Sequence, residues 1–158
     1  MSGFESKRVT RSYRQTINGT PENIFPLLCP EREKEWLEGW DYNGIYSETG
    51  YAEEGAVFGT SNPNEKETIW IITRHDKINY EIEFARFTPG SRTCVLKIKV
   101  IPADEKKSFV DITYTFTGIA QHGNEFVENY TEEKFTGFMK QWEKAMNYFL
   151  ETGTMLKS

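Results

Sequence analysis

Between residues 131 and 150, large apolar side chains recur at Phe135, Phe138, Met139, Trp142, Ala145, Met146, Phe149 and Leu150, in steps of three, four and seven. That spacing gathers them on one side of an α-helix, while Lys134, Lys140, Gln141, Glu143, Lys144, Asn147 and Glu151 take the other. The ends are marked too. Thr131 suits the N-cap, Glu132 and Glu133 suit the positive end of the helix dipole, and Gly153 stands where a C-terminal stop belongs. Such a rod is about 30 Å long, and each large residue on its stripe stabilises the fold by roughly 1.5–3 kcal/mol if buried. A chain ending in this helix must supply a wide apolar surface for it to lie on.

The preceding sequence supplies that surface as strands, predicted at residues 8–17, 42–47, 56–60, 68–74, 79–87, 93–101 and 108–119. The joints between the later strands are short and turn-like, which implies antiparallel neighbours. Alternation is clear in these strands. Tyr80, Ile82 and Phe84 oppose Glu81 and Glu83; Cys94, Leu96, Ile98 and Val100 oppose Lys97 and Lys99; Val110, Ile112, Tyr114 and Phe116 oppose Asp111, Thr113 and Thr115. One sheet face is therefore apolar and the other wet. After strand one, Thr20 and Pro21 signal a short helix and Cys29-Pro30-Glu31 a second, which Gly39 ends, with Trp36, Leu37 and Trp40 as its buried side. The fold class is α+β, a curved antiparallel sheet of about seven strands on one long helix, forming one domain over residues 1–158.

Composition excludes several functions. The formal charge of −5 is spread without a basic stripe, which argues against a nucleic-acid partner. Cys29 and Cys94 fit no metal or redox spacing, so both are expected as reduced, packed thiols. His75 and His122 lack a second ligand at metal spacing and are expected at the surface, so no metal is assigned. No cofactor fingerprint or nucleophile motif is present. The N-terminus lacks the apolar centre of a signal peptide and no run is long enough to span a bilayer, so the expected setting is cytoplasmic, without membrane insertion, as a monomer or weak homodimer.

Thr20-Pro-Glu-Asn-Ile-Phe25, Trp36-Leu-Glu-Gly-Trp40, Gly55-Ala-Val-Phe58, Thr68-Ile-Trp-Ile-Ile-Thr-Arg74 and the aromatic last helix, in that order, resemble the START-related helix-grip superfamily, also called SRPBCC. Its members include polyketide cyclase/dehydrase and lipid-transport-like proteins. The resemblance implies a sheet gripping the last helix, an apolar cavity between them, and two small helices closing one end. It implies no single catalytic motif, and the catalytic residues stay unassigned. The cavity residues it points to are Trp36, Trp40, Phe58, Trp70, Tyr80, Phe84, Tyr114, Phe116, Phe135, Met139 and Trp142.

For any one of these aromatics, tight core packing is the simpler role; the abundance of Trp and Tyr, whose N–H and O–H groups need partners, argues that some face a cavity. Arg74 joins the set because period two from Trp70 and Ile72 turns it inward, whereas Arg86, Glu81, Glu83 and Asp111 are expected in solvent. The run Glu31-Arg32-Glu33-Lys34-Glu35 reads as a solvated helix face. Residues 118–130 either continue the last helix upstream or cover the cavity mouth together with residues 50–55. Three functions remain open: a binding protein for a small hydrophobic ligand such as a lipid, an aromatic or a polyketide-like metabolite; a cyclase or dehydratase using the same cavity; and an interaction module that resembles chaperone activators.

Overall fold

The computed structural model describes residues 3–158. Its strands are β1 (Arg8–Ile17), β2 (Asn43–Tyr46), β3 (Val57–Thr60), β4 (Thr68–Asp76), β5 (Glu81–Thr88), β6 (Arg92–Pro102) and β7 (Ser108–Gly118). They form one antiparallel sheet in the order β1-β7-β6-β5-β4-β3-β2. Four helices join them: α1 (Pro21–Ile24), α2 (Pro30–Glu33), α3 (Gln121–Asn129) and α4 (Glu132–Thr152), with a 3₁₀ turn at Phe25–Leu28 between the first two. No helix among the described residues is long and apolar enough to cross a membrane. Cys29 and Cys94 are buried free thiols.

The alternation seen in the sequence sets the two faces. Ile82, Phe84, Leu96, Ile98, Val100, Val110, Ile112, Tyr114 and Phe116 are buried, and the outer face pairs Lys97 with Glu83 and Lys99 with Glu81. α4 buries Phe135, Met139, Trp142, Ala145 and Met146 and is capped as expected, Thr131 accepting from the Lys134 amide and Gly153 adopting φ 75°. It is fastened along the edge strand β1. Gln15 Nε2 donates to the Met139 carbonyl at 2.9 Å, the Thr16 amide donates to Glu143 at 2.6 Å, and the Asn18 amide donates to Asn147 at 2.7 Å. These bonds also satisfy amides that an edge strand would leave open. Because α4 follows β1, the space left beneath it lies toward β3, β4 and β5.

Several expectations need correcting. Arg74 faces outward. The β4–β5 register runs Ile72↔Phe84 and then Arg74↔Glu83, so Thr73 is an extra residue, a bulge that inverts the parity of everything after it. Arg74 is held on the outer face by Glu81 and Asp76. Tyr80 belongs to a turn, at φ 58°, where Asp76 Oδ1 accepts from the amides of Ile78 and Asn79. Its ring packs on Phe25 and its hydroxyl donates to Glu22, and it lines a different hollow, with Phe25, Pro26 and His75. α2 is a single turn, after which residues 34–40 coil as turns that seat Trp36 in the core with its indole N–H on the Leu27 carbonyl at 2.9 Å.

Residues 118–130 do not continue α4 upstream. They form the separate α3, broken from α4 at Tyr130. A Cβ on Gly123 would overlap the Ser91 carbonyl, and one on Gly118 would overlap Asn124, so both glycines serve close approach. Buried Asn124 completes the junction, accepting from the Lys7 amide at 2.9 Å and donating to the Glu5 carbonyl at 2.8 Å.

Candidate functional site

The sheet register lines up side chains in rows across the inner face. One row runs Phe58↔Trp70↔Arg86↔Cys94↔Phe116 and the next runs Ile72↔Phe84↔Leu96↔Tyr114. Phe58 stacks on Trp70 with centroids 5.1 Å apart, and Phe84 meets Trp70 edge-on at 5.7 Å. Between these rows, α4 and the coiled segment after α2, the structure leaves a space of about 110 Å³. Trp40, Phe58, Trp70, Phe84, Leu96 and Ile98 form its apolar wall, Trp142 and the half-exposed Phe138 close it from α4, and Pro30, Glu33 and Leu37 form its rim.

Of the twelve residues expected here, the structure brings together Trp40, Phe58, Trp70, Phe84, Tyr114 and Trp142. Trp36, Phe135 and Met139 are fully buried packing residues behind that wall, and Phe116 lies beyond Arg86 beside a smaller hollow. Arg74 and Tyr80 lie elsewhere, as described. Two residues expected in solvent line this space, Glu33 and Arg86. Both carried a signal. Glu33 is four residues from Leu37, on one helical face, and Arg86 has the parity of Ile82 and Phe84.

Among the described residues, the side chains of Glu33 and Tyr114 make no hydrogen bond, and Arg86 makes one. Arg86 lies over the rings of Trp70, at 4.6 Å, and of Tyr114 and Phe116, each at 5.3 Å, and among the described residues its one hydrogen bond goes to the Cys94 thiol at 3.3 Å. Arg11, Arg14, Arg32, Arg74 and Arg92 each face a carboxylate; among the described residues Arg86 faces none. Glu33 also stands alone, and burial pushes its carboxyl up to about 8, so it carries its proton at neutral pH. Burial likewise raises the Tyr114 phenol, which remains an O–H donor. Among the described residues the buried Trp142 indole N–H has no acceptor, whereas those of Trp40 and Trp70 are taken by the Pro30 carbonyl and the Thr60 hydroxyl. Arg86 and Glu33 both keep intermediate exposure.

Among the described residues, no cluster of His, Cys, Asp and Glu is arranged to hold a metal ion. His75 packs on Phe25 and burial lowers its pKa; His122 is exposed and pairs with Glu65, which Arg92 also holds, at 2.7 Å.

No protein-family model matches the chain, and no curated protein sequence does. Solved structures do. Norcoclaurine synthase from Thalictrum flavum, in complex with dopamine and hydroxybenzaldehyde, matches with a TM-score of 0.67 at 15% identity, over 100% of this chain and 96% of that one. The fold is a helix grip. XoxI from Bacillus cereus matches at TM-score 0.63 and 18% identity over 88% of this chain and 93% of its own. Ara h 8.0201 matches at 0.61 and 14%, over 92% and 99%. At these identities the likeness is one of architecture, which places a helix-covered sheet face in all of them.

Proposed function

We propose that this helix-grip protein binds one small, mainly apolar molecule in the space between the sheet and α4. The observation that carries the reading is a set of polar groups lining one apolar space: the Arg86 guanidinium, whose hydrogen bond goes to a thiol, and the Tyr114 hydroxyl and Glu33 carboxyl, which have no hydrogen-bond partner among the described residues. A core gains nothing by leaving such groups unmatched, since each costs about 1–3 kcal/mol. A ligand site gains orientation and selectivity from them. The volume of about 110 Å³ is below the roughly 150 Å³ of an apolar cavity that holds benzene, so it favours a single small ring over a lipid chain. The helix grip of norcoclaurine synthase holding dopamine and hydroxybenzaldehyde supports a ring-bearing ligand here.

The test is native mass spectrometry of the purified protein against its denatured mass, with thermal shift across a panel of small aromatic compounds. A retained small molecule, or a saturable rise in Tm that is lost when Leu96→Trp fills the space, supports the reading. A bare mass together with no shift for any compound contradicts it.

Glu33 favours a second reading, an enzyme of the cyclase or dehydratase kind. A carboxyl that keeps its proton near neutral pH, lining the same space as a guanidinium that can hold an oxyanion, is equipped for proton transfer next to a carbonyl. This reading requires that deuterium from solvent enter an α-position of some carbonyl compound in the wild type and not in Glu33→Gln.

A further inference from the structure

The polar groups around the space are also alike in kind. Arg86 has only donors, the Tyr114 phenol offers an O–H, and a neutral Glu33 adds a carboxyl O–H. The side chains on the wall include no amide and no aliphatic hydroxyl. Donors therefore surround an apolar space with one fixed positive charge at its back. We propose that the ligand is a small organic anion, a carboxylate on a ring-sized apolar body, with its oxygens on Arg86 and Tyr114 and its ring against Trp70, Phe84 and Leu96. This rests on the binding reading above and narrows it to one ligand class.

Charge balance supports the assignment. Arg86 is flanked by three rings and a thiol, a setting that desolvates it and supplies no counter-ion. Glu33 lines the same space, yet among the described residues neither it nor Arg86 makes an ion pair. A planar guanidinium presents paired donors that match a carboxylate, and away from water such a charge-assisted pair is stronger than a neutral hydrogen bond. The flat aromatic wall suits a ring, and the volume of about 110 Å³ limits the body to a single small one.

Glu33 links binding to pH. The titratable or charged groups that share its space are Arg86 from β5 and Tyr114 from β7; α4 presents only Phe138 and Trp142, β3 and β4 present Phe58 and Trp70, and on its own segment Arg32 and Lys34 are paired with Glu35 and Glu31. With Glu33 protonated, the space carries one positive charge and welcomes an anion. Once Glu33 ionises, it repels the same anion and offers Arg86 an internal competitor. Affinity for a carboxylate therefore falls as pH rises past the Glu33 transition.

Calorimetric titration of the full chain tests this with benzoate and cyclopropane carboxylate as anionic probes and benzamide and toluene as neutral ones, at pH 6.5 and pH 9. The expected result is that at least one acid binds at pH 6.5, at least ten-fold tighter than benzamide, and at least ten-fold weaker at pH 9. In Glu33→Gln the loss at pH 9 should disappear, and Arg86→Met should lose the acid while retaining toluene. Neutral probes binding as tightly as the acids in the wild type would overturn the anion assignment and leave the binding reading intact. If none of the four probes binds, the assignment fails together with the ring-sized cavity on which it rests. Because the comparison of probes uses wild-type protein, it holds even if a variant does not fold.

Discussion

Replacing Glu33 with glutamine removes a titration and leaves the shape almost unchanged. In the folded protein burial carries this carboxyl from its ordinary 4.5 to about 8, so between those values the native state holds a proton that the unfolded chain has released. Stability therefore falls as pH rises, since the slope follows the difference in bound protons, unfolded minus native. The contribution is fully present below about pH 4.5 and lost as pH passes 8. At 1.36 kcal/mol per pH unit the full loss is about 5 kcal/mol, an upper bound because water entry and relaxation soften a buried charge. Glutamine does not titrate. Urea unfolding should give wild type and Glu33→Gln similar stabilities at pH 4.5, with the variant more stable by about 2–5 kcal/mol at pH 8.5. Parallel pH profiles for the two proteins would refute the reasoning, because they would mean that Glu33 is hydrated and ionised throughout.

Other consequences follow from the same geometry. Arg86→Met should stabilise the ligand-free protein by about 1–3 kcal/mol, read by urea unfolding, since it removes a desolvated charge that no carboxylate balances. Gly123→Ala should destabilise by about 2–4 kcal/mol, because the new methyl meets the Ser91 backbone, which cannot swing aside as a side chain can. Gln15→Ala should cost about 1–3 kcal/mol by deleting the buried bond that ties β1 to α4. Each change is measurable by chemical denaturation, and a null result at Gly123 would mean that α3 docks less closely than described.

The main architecture was legible because it rests on periodicity. The 3.6-residue stripe of α4 and the two-residue alternation of β5, β6 and β7 each survive from sequence to structure, and a wet outer face with apolar inner face leaves one way to stack them. The site was half legible. Its rings, Trp40, Phe58, Trp70, Phe84, Tyr114 and Trp142, stand at inward positions that alternation and the helix-grip resemblance identify together. Arg74 went wrong because the bulge at Thr73 has no local marker, and period two cannot see an added residue. Tyr80 went wrong because Asp76 closes a turn where the alternation still looked like strand. Glu33 and Arg86 were missed for a different reason. Charged residues are usually solvated, so the prior outweighed the positional signal, although helical spacing to Leu37 and parity with Phe84 both pointed inward. Such departures from the usual rule mark a site more clearly than the rings do.

The most direct test of the account is a nitrogen–proton correlation spectrum of the indole groups, recorded with the leucine and isoleucine methyls as small aromatic compounds are added. Among the described residues Trp142 carries the indole N–H without an acceptor, while Trp36, Trp40 and Trp70 have theirs occupied. The account predicts saturable shifts at the Trp142 N–H and at the methyls of Leu96 and Ile98, with the exposed Ile45 and Ile78 unmoved. Shifts confined to those surface residues, or none at any concentration, would contradict a ligand site between the sheet and α4.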